Sequence, residues 1–175
     1  PKFFTLGGEL SGSFHLKGIP ANTQFTYDFD IQNGLFDSIE LGNVFGNGSY
    51  DGRRLSVKKV VATHPDGKIT AQGSVPFDFN INSPSIGRFF PGDSLDFHAL
   101  AQLGSLPFLT PYIADLDSVR GDMDISLSLT GPVESIQRSG HIKVKNGKIY
   151  TLLTADPATS VEGEAFMNHN QLVIQ

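Results

Sequence analysis

The stretch Gly121-Asp122-Met123-Asp124-Ile125-Ser126-Leu127-Ser128-Leu129-Thr130-Gly131 decides the fold. Met123, Ile125, Leu127 and Leu129 alternate with Asp124, Ser126 and Ser128, the period of two that gives a β-strand one apolar and one wetted face. The signal recurs at Phe25, Tyr27, Phe29 and Ile31, and again at Ile69, Ala71, Gly73, Val75, Phe77, Phe79 and Ile81, with polar residues between. Turn residues stand at Gly18-Ile19-Pro20, Asn33-Gly34, Tyr50-Asp51-Gly52, Pro65-Asp66-Gly67, Gly131-Pro132 and Asn146-Gly147. Their spacing predicts consecutive hairpins, a meander of about ten strands at usual strand lengths.

The same stretch has a counterpart 113 residues earlier, without a gap. Gly8, Phe14, Leu16, Gly18, Asn33 and Gly34 correspond to Gly121, Leu127, Leu129, Gly131, Asn146 and Gly147. Leu10 falls on Met123, Phe29 on Ile142 and Ile31 on Val144. A repeated supersecondary unit points to an extended array, whose long surface suits a long ligand or partner. Between Ala99 and Ser118 the pattern changes: Leu103, Leu106, Leu109, Ile113 and Leu116 lie near helical spacing, broken by Gly104, Pro107 and Pro111, and Thr110-Pro111 reads as an N-cap with Pro at the first helical position. The organisation expected is a first β-repeat unit at 1–98, a short helical connector at 99–118 and a second, truncated β-repeat unit at 119–175. Both ends read as cuts within strands, since neither carries the polar cap of a finished array.

Composition narrows the class. The chain has 175 residues, 19 glycines and 10 prolines, and a net charge of −5 with no basic run, which argues against a nucleic-acid partner. The absence of cysteine excludes disulfides, thiol catalysis and zinc–thiolate sites. No apolar run approaches the roughly 18 residues of a membrane-spanning helix.

The apolar face needs a cover, and about twenty connector residues cannot cover ten strands. Either the sheet folds on itself as a sandwich or barrel, or it curls into a trough whose apolar inside faces a ligand. The repeat and the uncapped ends favour the trough. The candidate groove residues are Phe14, Leu16, Phe25, Tyr27, Phe29, Ile31, Val75, Phe77, Phe79, Leu127, Leu129, Ile142 and Val144. They serve a closed core equally well, so groove shape must discriminate.

Other motifs carry less. Ser94, Asp96 and His98 share a strand face but stand roughly 7 Å apart in sequence steps of two, too far to converge as a hydrolytic triad. Asp115, Asp117, Asp122 and Asp124 miss the spacing of a calcium loop, with Val119 and Ser126 where ligands belong. Arg120-Gly121-Asp122 is accounted for by the repeat, and Asn47-Gly48-Ser49 is a sequon that matters only in a secretory host. The five histidines (His15, His64, His98, His141, His169) have no ligand-like spacing, and Gly46-Asn47-Gly48 lacks the third glycine of a phosphate loop. The reading is of a non-enzyme with no metal and no cofactor.

The sequence Gly121–Pro132, followed by Ser139-Gly140-His141-Ile142-Lys143-Val144-Lys145-Asn146-Gly147-Lys148-Ile149, resembles the repeat of the TamB family and the wider AsmA-like proteins. Gly67-Lys68-Ile69-Thr70-Ala71-Gln72-Gly73-Ser74-Val75-Pro76-Phe77-Asp78-Phe79 looks like another recurring piece of that family. The first copy departs from it: Ile19 precedes Pro20 where Gly-Pro is usual, and Tyr27 replaces the glycine at Gly140. The resemblance implies an all-β fold, a curved, mostly antiparallel repeat sheet (a β-taco with an apolar groove). It implies a segment of a periplasm-spanning protein of a diderm bacterium, anchored in the inner membrane, that carries phospholipid acyl chains towards the outer membrane. The implied partner is a TamA-type outer-membrane barrel, with a scaffold role in outer-membrane protein assembly as the alternative. Self-association through exposed strand edges is a further expectation.

Overall fold

The period-two segments form strands, and their order in space is their order in sequence. The computed structural model describes residues 5–19, 22–36, 39–79, 89–90, 92–105, 115–154, 156–169 and 171–174. Within them run β1 (Leu6–Ile19), β2 (Asn22–Phe36), β3 (Ile39–Tyr50), β4 (Arg54–His64), β5 (Gly67–Pro76), β6 (Ser94–Ser105), β7 (Leu116–Pro132), β8 (Gln137–Thr151), β9 (Ala158–Asn168) and β10 (Gln171–Ile174). Every pairing is antiparallel, and the order β1 to β10 makes one curved, open meander. Among the described residues, strands pack appreciably only against their hydrogen-bonded neighbours, so no second sheet lies on the first. The accessible surface of 11667 Å² agrees. A folded monomer of this mass would expose about 8,300 Å².

The repeat is written into the backbone. Gly8 and Gly121 have φ of 120° and 143°, Gly18 and Gly131 both 98°, and Asn33 and Asn146 both 53°. Register shifts fall between Gly7 and Glu9 in β1 and between Arg120 and Asp122 in β7. They fall again at Ile31/Gly34 in β2 and Val144/Gly147 in β8. A Cβ on Gly8 would meet the Gln32 carbonyl oxygen at 2.8 Å, and one on Gly121 the Lys145 oxygen at 2.9 Å, so each bulge needs glycine twice over.

Three expectations are corrected. Asn33-Gly34 and Asn146-Gly147 lie inside β2 and β8 as bulges and do not end strands. Asparagine tolerates positive φ, so the extra residue is absorbed and the strand continues. The alternation from Ile69 runs as strand only to Pro76. Phe77 then makes an isolated bridge to Phe89, and Phe79 turns back over the sheet. The helical spacing over 99–118 is also overridden at its ends: Ala99–Ser105 belong to β6 and Leu116–Ser118 to β7, because both complete ladders with their neighbours. The rest of that connector, 106–114, lies outside the described residues. Among the described residues the helical element is one 3-10 turn, Val133–Ser135.

Candidate functional site: one apolar face across ten strands

Antiparallel partners place their side chains on the same face of a sheet, so register alone maps that face. One row reads Leu10, Ile31, Val44, Ala62, Ile69, Ala101, Ile125, Ile142, Ala165 and Ile174, apolar in all ten strands. The row beside it carries Gly12, Phe29, Gly46, Val60, Ala71, Ala99, Leu127, Gly140 and Met167. Further along stand Phe14, Tyr27, Phe97 and Leu129, and then Leu16, Phe25, Tyr50, Leu55 and Val75. Phe14, Leu16, Phe25, Tyr27, Phe29, Ile31, Val75, Leu127, Leu129, Ile142 and Val144 therefore share one side. The sheet is open, so they do not form the closed core of a sandwich.

Sequence reading missed the β3 and β4 contribution because glycine interrupts the alternation in β3 and a register shift between Val57 and Val60 interrupts it in β4. Gly46 and Gly48 are floors for aromatic rings. A Cβ at Gly46 would sit 2.4 Å from the Phe29 ring, and one at Gly48 2.4 Å from the Tyr27 hydroxyl. The missing side chains on β3 and the large ones on β2 explain each other. Burial pushes the Tyr27 hydroxyl pKa up, which keeps it neutral over this face.

The two ends of the face differ. After Pro76, which is fully buried, the chain leaves β5 and Phe79 lies over the sheet. Phe79 packs edge-on against Phe25 at 5.4 Å and Tyr50 at 5.0 Å between ring centroids, and Phe25 stacks on Tyr50 at 5.1 Å. The Phe79 amide donates to the Tyr50 hydroxyl oxygen at 3.2 Å. The Tyr50 pKa is raised by burial, opposed by that amide and reinforced by Asp78 and Asp51. A two-pronged pair from Arg53 to Asp93, Nε–Oδ2 2.6 Å and Nη2–Oδ1 2.7 Å, joins the start of β4 to the residue before β6. Phe79 thus lies over the face, whereas Phe77 bridges Phe89 and donates its amide to the Arg53 carbonyl oxygen at 3.2 Å, in line with the end of β5. Over β7 to β10 the described residues include no such cover. Val119, Ile142, Val144, Ile149, Val161 and Ala165 line a depression of about 190 Å³ there.

The other face is mainly polar, with one departure from the expected hydrophilic exterior. Phe45, Val61, Thr70, Leu100, Ser126, His141, Phe166 and Val173 form a cross-strand row on it. His141 stacks on Phe166 at 4.5 Å. Asp96 and His98 do meet, at 2.8 Å, and the third partner is cross-strand: His98 Nδ1 lies 2.8 Å from Ser128 Oγ. Only register could reveal Ser128, since it stands thirty residues away. The surrounding backbone amides belong to the β6–β7 ladder, which leaves none converging on Ser128 as an oxyanion site. Asp122 and Asp124 accept from Asn146 at 2.9 Å and Gln102 at 3.3 Å, as solvated cross-strand contacts.

Fold and face together define a single-layer, open antiparallel sheet with a continuous apolar side. No protein-family model matches the chain, and neither a curated protein nor a solved structure matches it. No helix among the described residues is long and apolar enough to cross a membrane.

Proposed function

We propose that this chain is a segment of a lipid-carrying bridge in which acyl chains lie along the apolar face while headgroups stay at its open rim. The observation that carries the reading is the row from Leu10 to Ile174, apolar in every strand and not covered by a second sheet. Each methylene moved from water onto such a face gains about 0.8 kcal/mol. Successive strands offer similar apolar steps, so a chain can pass from one register to the next without a deep trap. Arg138, paired with Leu129 at the end of the uncovered half, gives a headgroup phosphate a cationic neighbour. Together with the resemblance of the second repeat, this supports membership of the TamB-like proteins. It also supports a parent protein anchored in the inner membrane of a diderm bacterium, reaching across the periplasm towards a TamA-type barrel. The reading assigns no catalytic step to the chain.

The test compares Leu127→Asp on the apolar face with Ser128→Asp on the polar face, in vesicle-derived phospholipid binding by the purified chain. A carboxylate facing acyl chains meets a desolvation cost of several kcal/mol, so Leu127→Asp should abolish binding and Ser128→Asp should leave it near wild type. Equal binding by the two variants, at equal folded content, would overturn the proposal.

A further inference from the structure

We propose that Ser128 is an activated nucleophile that takes an acyl group from donors whose leaving group is a weak base. The site is on the polar face and is independent of what the apolar face carries. Its basis is a hydrogen-bond relay across β6 and β7. His98 lies between Asp96 and Ser128, with Nε2 2.8 Å from Asp96 Oδ1 and Nδ1 2.8 Å from Ser128 Oγ. A carboxylate only accepts hydrogen bonds, so the proton of the neutral ring sits on Nε2. Nδ1 is then an acceptor, and the Ser128 hydroxyl donates to it. In that arrangement an imidazole can take the hydroxyl proton as the oxygen attacks.

The relay is held by the ladder and open to a reagent. Asp96 and His98 share one face of β6, and His98 pairs with Ser128 in register. The Asp96 and His98 side chains are 64% and 45% exposed. On its β8 side Ser128 borders a depression of about 460 Å³ that Ser126, Ser139, Phe166 and Asn168 also line. Ser128 pairs with Ser139, and Ser139 with Asn168, so a carbonyl seated there meets hydroxyl and amide groups, and Phe166 gives a short acyl chain an apolar neighbour. In the step, the Ser128 hydroxyl proton passes to His98 Nδ1 and Oγ bonds to the acyl carbon. The bond from that carbon to the leaving oxygen breaks, and the leaving group departs with the electron pair. The imidazolium returns its proton to the leaving group or to water. Because no backbone amides converge on Ser128, only donors with a good leaving group react, and the acyl-serine is hydrolysed slowly. Ser126 and Ser139 share the depression but, among the described residues, make no hydrogen bond to a histidine.

The experiment treats the full chain with p-nitrophenyl acetate, follows nitrophenolate release and maps acetyl groups by mass spectrometry. An acetyl ester should accumulate on Ser128, with Ser126 and Ser139 unmodified. His98→Gln should slow that acetylation by about a hundredfold or more, the contribution of a general base. Ser128→Ala should remove the ester and leave acetylation of lysines unchanged. Nitrogen chemical shifts of the His98 ring should show the Nε2–H tautomer. Asp96→Ala removes the acceptor that sets it, and should give a mixture of tautomers together with slower acetylation. Any of these results would overturn the proposal: acetyl groups on lysines alone, equal acetylation of Ser128 and Ser126 or Ser139, an unchanged rate at Ser128 in His98→Gln, or a wild-type ring with its proton on Nδ1.

Discussion

At equivalent places the first repeat carries Phe25, Tyr27 and Phe29, and the second Arg138, Gly140 and Ile142. The backbones beneath are alike, with the same bulges and the same left-handed asparagines. In the first, rings fill the space over Gly46 and Gly48 and meet Phe79. In the second, Ala165 and Met167 stand where the first has Gly46 and Gly48, and Ile142 is partly exposed. Glycine and asparagine set the shape of the sheet, and the residues standing on its apolar face set how much room is left above it. Among the described residues, Phe79 covers the aromatic cluster of the first half, and no equivalent ring is seen over the second.

Removing an anchor should separate the halves most sharply. Phe25 is 9% exposed and touches Phe14, Tyr50 and Phe79, so Phe25→Ala should cost about 3–5 kcal/mol in urea unfolding. Ile142 is 38% exposed, and Ile142→Ala should cost less, about 1–2 kcal/mol, since over a third of its surface stays in water. Equal costs would mean that the two halves are packed alike.

Adding a methyl probes the floors. At Gly48 a Cβ would lie 2.1 Å from the Ser56 carbonyl oxygen as well as against the Tyr27 ring, so Gly48→Ala should lose about 1–3 kcal/mol. At Gly140 the nearest atoms are the Ser126 oxygen at 3.0 Å and Met167 Cε at 3.5 Å, and the last of these can swing away. Gly140→Ala should therefore be the milder change in the same denaturation assay.

The smallest effects are electrostatic and differ in what they hold. Hydrogen bonding from Arg53 holds the Asp93 carboxyl below the usual carboxylate range, and Lys143 does the same for Glu164. Each folded pKa is depressed, so the contribution is full above the unfolded value and is lost as pH falls through the folded one, below about pH 4. Acidification should loosen the Arg53–Asp93 contact beside Phe77 and the β8–β9 contact through Glu164. Near-ultraviolet dichroism of the aromatic cluster should register the first and not the second, and Asp93→Asn should remove that acid step. Both pairs are solvent-exposed, so the shifts in midpoint should be small.

Much of this was legible in the sequence, for a physical reason. Alternation in Met123–Leu129 and Phe25–Ile31 reports strand and face directly, because side chains in a strand point to opposite sides in turn. The repeat paired Gly8 with Gly121 and Asn33-Gly34 with Asn146-Gly147, but the Asn-Gly pairs read as hairpin turns and not as bulges. Whether positive φ at asparagine reverses the chain or only inserts a residue depends on the neighbouring strand, which local sequence does not contain. The alternation out to Phe79 was equally misleading, since a residue that packs back onto an apolar face is apolar as well. The face positions on β3 were hidden by Gly46 and Gly48, and Ser128 beside His98 by thirty residues of intervening chain.

The central claim is that the uncovered apolar face takes an acyl chain. A phospholipid with a photoactivatable group on its acyl chain, crosslinked to the intact protein and mapped by mass spectrometry, tests it most directly. The polar face supplies an internal control, because Leu100 and Phe166 there are exposed and apolar but are not part of the ten-strand row. The account predicts crosslinks concentrated at Leu127, Ile142 and Val144, with few at Phe25 or Tyr50 beneath Phe79 and few at Leu100 or Phe166. Crosslinks spread equally over the two faces, or gathered on the outer row, would contradict it.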